Sequence, residues 1–194
     1  MGGARYQRTQ TGRGKTSPAK RALEAAANTI VITDRRGVIQ WANSSFASLT
    51  GFDPAEVVGL NPGKFIKSGK QSKEFYADLW ETILAGNIWH NELINRRRDG
   101  NLYHEEMTIT PLFDSEGMVN NFIAVKQDIT ERKQAEEALA RSEKAYRALF
   151  ENMPIGLYRT SIDGDILDAN PSLIKMFGYP DLQPSWKESM GLLR

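Results

Sequence analysis

One phrase is written twice in this chain. Gly37-Val38-Ile39-Gln40-Trp41-Ala42-Asn43-Ser44-Ser45-Phe46, followed by Gly51-Phe52, recurs as Gly164-Asp165-Ile166-Leu167-Asp168-Ala169-Asn170-Pro171-Ser172-Leu173, followed by Gly178-Tyr179. Gly37 and Gly164, Asn43 and Asn170, and Gly51 and Gly178 keep a single offset of 127 residues, with no gap. Solenoid and propeller units repeat at about 20–50 residues. What repeats here is therefore a whole domain. A chain of 194 residues then holds one full copy and the opening part of a second.

Composition narrows the chemistry. Hydrophobic residues make up 40% of the chain, which suits a globular core of roughly a hundred residues. The half-length second copy is expected to pack poorly alone or to be completed by another chain. Cysteine is absent, which excludes disulfides, thiolate zinc sites, iron–sulfur clusters and any cysteinyl adduct to a cofactor. No apolar run approaches the roughly 18 residues that span a bilayer. The first 18 residues are rich in Gly, Ser and Thr and lack periodicity, the pattern of a disordered arm. Arg5, Arg8, Arg13, Lys15, Lys20 and Arg21 make the N-terminal stretch basic, with no acid among them, while the whole chain carries only +1. We read this stretch as solvated rather than as a nucleic-acid or lipid contact, and expect a cytoplasmic protein.

The first copy runs over residues 19–130. An Ala-rich helix at 19–27 precedes a β-branched strand at 28–33, a turn at Asp34-Arg35-Arg36-Gly37, and a returning strand at 38–42. Asn43-Ser44-Ser45 is expected to cap the next helix, and Asp53-Pro54 the one after it. Residues 61–70, with Pro62, Gly63 and Gly69, form an irregular loop. Phe75, Tyr76, Leu79, Trp80, Ile83 and Leu84 recur at helical spacing over 73–85, and Gly86 stops that helix. Strands follow at 89–97, 103–113 and 119–127, joined by Asp-Gly and Glu-Gly turns. Two strands, a cluster of short helices, one longer helix and a three-stranded meander make an α+β layer. We expect a five-stranded antiparallel sheet with helices on one face and a cavity between them.

From residue 131 to 149 the pattern changes to a charged helix. Ala135, Leu139, Ser142, Tyr146 and Leu149 alternate spacings of four and three, a heptad seam that suits a linker helix and could pair with a second chain. The second copy then occupies residues 150–194.

Thr33-Asp34-Arg35-Arg36-Gly37-Val38-Ile39, Leu49-Thr50-Gly51-Phe52 and Glu56-Val57-Val58-Gly59 resemble the opening of a PAS domain. Asn95-Arg96-Arg97-Arg98-Asp99-Gly100 and Asp128-Ile129-Thr130-Glu131-Arg132-Lys133 resemble its C-terminal PAC motif. Within that family, Phe75-Tyr76-Ala77-Asp78-Leu79-Trp80 and Gly86-Asn87-Ile88-Trp89 are most similar to the FAD-binding redox sensors of the nitrogen-fixation regulator, methane monooxygenase sensor and aerotaxis receptor type. The resemblance implies a PAS fold, a linker helix and a partial second PAS domain. It also implies a sensory rather than catalytic role, an output domain or partner protein downstream, and homodimers formed through the N-terminal and linker helices.

The residues permit a flavin. A flat ring with one polar edge needs aromatic or aliphatic walls and an amide aimed at that edge. Trp80 and Trp89 could wall it, and Asn95 shares a strand face with Trp89. The resemblance places Asn95 at the ring edge and Trp89 near the ring. Phe65, Ser68, Gly69 and Lys70 could meet the ribose or pyrophosphate, although their loop is one residue longer than is usual in this group. The residues equally permit a cofactor-free interaction module with Trp80 and Phe65 filling its core. No catalytic constellation and no metal cluster is expected: His90 and His104 read as edge histidines, and the neighbours Glu105 and Glu106 face opposite sides of their strand.

Overall fold

The computed structural model describes residues 17–164 and 166–178. Most of the basic arm, up to residue 16, and the second copy from residue 179 onward lie outside the described residues. The chain divides into two compact units between Glu131 and Arg132.

In the first unit, helix α1 (Pro18–Glu24) leads into strands β1 (Thr29–Asp34) and β2 (Ile39–Ala42). Short helices α2 (Ser45–Thr50) and α3 (Pro54–Val57), a 3-10 turn at Pro62–Lys64 and helix α4 (Lys73–Leu84) follow. Strands β3 (Trp89–Arg96), β4 (Leu102–Phe113) and β5 (Val119–Asp128) complete it. They form a five-stranded sheet in the order β2-β1-β5-β4-β3, every neighbour antiparallel. The alternation that marks these strands also sets the core. Val31, Met107, Ile109, Phe122 and Ala124 turn inward and meet Phe46 of α2, Val57 of α3, and Leu79 and Ile83 of α4. Ser72 caps α4 by accepting from the Phe75 N–H, and Asp53 caps α3 by accepting from the Ala55 N–H.

One expected cap is something else. Ser44 stands at the start of α2 without a side-chain cap bond, while the Asn43 side chain turns into the protein and is fully buried. Its Oδ1 accepts from the Ile30 N–H at 2.9 Å, and its Nδ2 donates to the Asn28 carbonyl at 2.9 Å. Asn43 thus ties the end of the hairpin back to its beginning. Asn43→Ala would orphan a buried N–H, so we expect a loss of about 1–3 kcal/mol in chemical denaturation. Asn43→Asp keeps the acceptor for the Ile30 N–H but should lose the amide's bonds to the carbonyls of Leu23, Ala26 and Asn28.

The second unit repeats this tie and adds the cap that Asn43 does not make, Asn170 Oδ1 also accepting from the Leu173 N–H at 3.0 Å. Strands β6 (Tyr158–Thr160) and β7 (Ile166–Ala169) pair with the same register as β1 and β2, including the irregularity after the second pair. Asn170 Oδ1 accepts from the Leu157 N–H at 2.8 Å and Nδ2 donates to the Ile155 carbonyl at 2.8 Å, the partners that the offset assigns from Ile30 and Asn28. Ser172 donates to the Met153 carbonyl as Ser45 donates to that of Ala26. Helix α6 (Pro171–Met176) follows as α2 does. Helix α5 (Thr130–Asn152) is a single helix of 23 residues. By the same offset its last turns stand where α1 stands in the first copy, so the linker and the opening helix of the second copy are one element. Leu139, Tyr146 and Leu149 of its seam are exposed.

Candidate ligand-binding site

Between the sheet and α4 lies a cavity of about 150 Å³. Its walls are aliphatic and aromatic: Val31, Leu79, Ile83, Leu93, Ile109 and Phe122 among them. Three polar side chains break this lining from the sheet side, Thr33 of β1 and the pair Asn95 of β3 and Lys126 of β5. Asn61, Gly63, Lys67 and Trp80 line it on the helical side.

The polar pair is part of a buried cluster. Asn95 Nδ2 donates to Glu105 Oε1 at 2.9 Å, and Lys126 Nζ donates to the same oxygen at 2.8 Å. The Glu105 side chain is 0% exposed and that of Lys126 5%. Strand register explains the meeting. Asn95 pairs with Tyr103 and Lys126 with Met107, so each lies diagonally across from Glu105 on the inward face. A buried ion pair of this kind is costly to desolvate, and its presence at a cavity wall is weak evidence of a stabilising role. Glu105 Oε2 and the hydroxyls of Tyr76 and Tyr103 are buried without a hydrogen-bond partner. Only Tyr76 of these three lines the cavity. Apolar walls with an amide and an ammonium at one side suit a planar ligand with one hydrogen-bonding edge.

Burial, then the neighbouring Glu105 carboxylate, pushes the Tyr103 phenol far above its ordinary value of 10.0. The same two causes raise Tyr76. A group raised on folding contributes stability that is complete below the unfolded value and lost as pH rises through the folded one. We therefore expect a loss of stability above pH 10.0 that Tyr103→Phe reduces. At neutral pH that substitution removes an unpartnered hydroxyl and should be neutral or stabilising by up to about 1 kcal/mol. Thermal melts across the alkaline range check both expectations.

The exit from the sheet is held by charge. Arg97, whose guanidinium lies 4.6 Å from the Tyr103 ring centroid, bonds Asp128 at 2.6 Å and also donates to the Leu49 carbonyl. Asp128 accepts from both the N–H and the hydroxyl of Thr130, the first residue of α5. Burial alone would raise Asp128. The bonds from Thr130 and Arg97 outweigh it and hold the carboxyl below its usual range.

The expected site residues divide. Trp80 and Asn95 line the cavity. Trp80 lies edge-on to Phe122 at 6.2 Å and covers Gly37, where a Cβ would sit 2.8 Å from its ring. Trp89 shares the inward face with Asn95 but sits outside the lining, donating from Nε1 to Asp78 at 2.9 Å and meeting Phe75 edge-on at 5.4 Å. Phe65 likewise packs elsewhere, against Phe52 at 4.9 Å. Ser68, Gly69 and Lys70 belong to a segment bound to the edge of β3. Ser68 donates to the Ile94 carbonyl, Lys67 bridges Asn95, and the Arg96 N–H donates to the Ile66 carbonyl at 2.7 Å. From this segment Lys67 reaches the cavity, its ammonium 3.6 Å from the Tyr76 ring centroid. His90 is exposed, bonded to Thr108 at 2.9 Å, and no group of metal-ligating side chains occurs among the described residues.

Sequence reading missed Glu105, Lys126 and Lys67. A signal existed for the first two: Glu105 falls in phase with Tyr103, Met107 and Ile109, and Lys126 with Phe122 and Ala124.

The family described as PAS domain matches residues 27–131, and a second PAS description matches 144–193. The nitrogen fixation regulatory protein of Klebsiella oxytoca is 33% identical over 132 residues, covering 68% of this chain and 26% of that protein. The aerotaxis receptor of Escherichia coli strain K12 is 27% identical, covering 60% of this chain and 22% of the receptor. The chain thus spans about a quarter of the length of the curated relatives it matches. Among solved structures, a light-oxygen-voltage domain studied with a flavin analogue aligns with a TM-score of 0.54 and 26% identity, covering 66% of this chain and 96% of that one. No helix among the described residues is long and apolar enough to cross a membrane. With its sheet order, its helical layer and a family match over more than half its length, the chain belongs to the PAS domain family and is a sensory signalling module.

Proposed function

We propose that the first PAS domain, residues 19–130, holds FAD and reports its redox state through the linker helix at 131–149. The observation that carries this reading is the cavity whose apolar walls end at Asn95 and Lys126. The light-oxygen-voltage domain studied with a flavin analogue and the resemblance to FAD-binding redox sensors support it. Asn95 and Lys126 would meet the polar edge of the ring, with Ile109 and Leu79 against its faces. Trp80 and Lys67 stand at the helical side, where Phe65, Ser68, Gly69 and Lys70 could close over the rest of the cofactor. Pockets that enclose drug-sized ligands hold roughly 300–1,000 Å³, so admitting the ring moves these side chains outward.

Bound FAD supplies a ring whose protonation changes with its redox state. What this chain adds is a route from cavity to helix. Lys126 sits on β5 two residues before Asp128, which holds the first residue of α5. A changed demand on Lys126 displaces β5, and the Arg97–Asp128–Thr130 contacts carry the change into α5 as a two-state element. Hydrogen exchange of the FAD-loaded protein, oxidised against reduced, tests this. The reading requires changed protection in β5 and the first turns of α5; identical protection in the two states contradicts it.

A second reading rests on the exposed seam of α5, Leu139, Tyr146 and Leu149. It is a cofactor-free module that pairs two chains through α1 and α5 and acts on an output domain or partner protein. Sedimentation of Leu139→Glu beside the unaltered protein tests the pairing, with a shift to monomer expected.

A further inference from the structure

Glu105 has no place in the cavity lining, yet it decides what the lining offers. Its Oε1 accepts from Asn95 Nδ2 at 2.9 Å. A carboxylate accepts and cannot donate, so it fixes which end of the Asn95 amide faces it. The nitrogen is held by Glu105, and Oδ1 is the end left to the cavity, taking no hydrogen bond from any described residue. The same Oε1 holds Lys126 Nζ, which still has N–H groups to give. The polar end of the cavity therefore presents one acceptor from β3 and one donor from β5, on either side of β4 and joined through Glu105.

We propose that Glu105 is a positioning residue for ligand selection. By fixing the Asn95 amide it makes the cavity demand a ligand edge carrying an N–H donor beside a carbonyl acceptor, as in a lactam or imide. A ligand with carbonyls alone would meet Asn95 Oδ1 acceptor to acceptor. A pure hydrocarbon would leave both polar groups without partners, which sites built for hydrogen bonds reject strongly. This inference rests on the flavin reading, since the pyrimidine edge of the flavin ring is such an imide. It adds that the N–H of that imide, and not only its carbonyls, is read.

The test is a ratio of affinities in the full chain, FAD against FAD methylated at the imide nitrogen. The unaltered protein should prefer FAD by at least about tenfold, because the methyl group removes the donor that Oδ1 needs. In Glu105→Leu no oxygen remains to hold the Asn95 nitrogen, so the amide is free to turn, whereas the oxygen of a Gln there would be kept in place by Lys126. The preference should fall to within about threefold even where both affinities drop. Should that variant fold poorly with Lys126 left without its counter-charge, Glu105→Gln combined with Lys126→Met removes both charges together and is the better tolerated form. It should lose the preference too. A merely structural role for Glu105 would lower both affinities and keep the ratio, which overturns the inference, as does the absence of any preference in the unaltered protein. Failure of the unaltered protein to bind FAD at all overturns the flavin reading and this inference with it.

Discussion

Glu105→Ala should destabilise the first domain by about 3–5 kcal/mol, the cost of leaving a buried charge without its partner. The Lys126 side chain is 5% exposed and its ammonium has Glu105 Oε1 as its counter-charge. Removing the carboxylate strands that ammonium, and it also frees the Asn95 amide. Combining Glu105→Gln with Lys126→Met replaces the pair by groups of similar volume without charge, and should recover most or all of the loss. Urea denaturation of the two variants beside the unaltered protein separates these outcomes. Equal destabilisation in both would mean that packing, not charge, holds this part of the sheet.

Phe46→Ala should cost a further class of energy, about 3–5 kcal/mol from lost burial and the void left behind. Phe46 is 0% exposed and belongs to the core that α2 shares with the sheet. The repeat supplies its own control. Leu173 stands at the equivalent place in the second unit, where the described strands number two, and it is half-buried against Ala169 and Ile174. Leu173→Ala should therefore cost well under half as much, because the cost follows the area removed from water. Both substitutions can be followed by hydrogen exchange within their own unit.

The elements that sequence disclosed are those with period and punctuation. Strand β4 is found at Leu102–Phe113, against an expected 103–113, because Tyr103, Glu105, Met107 and Ile109 alternate with His104, Glu106 and Thr108 without a break. Helix α4 ends at Leu84, ahead of Gly86, as its spacing requires. Asn43 was misread because an Asn before a helix looks locally like a cap, while its partner Ile30 lies 13 residues away across a strand pair. The repetition of Asn43 as Asn170 was the clue that the position does more. Periodicity also gave the shared face of Trp89 and Asn95 but not depth along it. Trp89 is drawn off by Asp78 and Phe75, at the opposite end of β3 from Asn95. The segment around Ser68 carries no period, so its pairing with the edge of β3 was invisible until the fold brought Ile94 and Asn95 beside it.

The central claim is that the cavity beneath α4 holds FAD. The most direct measurement is the absorbance spectrum of the purified protein, with identification of whatever heat releases from it. Our account predicts the paired near-ultraviolet and blue bands of an oxidised flavin, with FAD in the supernatant, and the loss of both in Ile109→Trp, which fills the cavity from β4. A protein that is colourless as purified, and remains so after incubation with excess FAD, would contradict it.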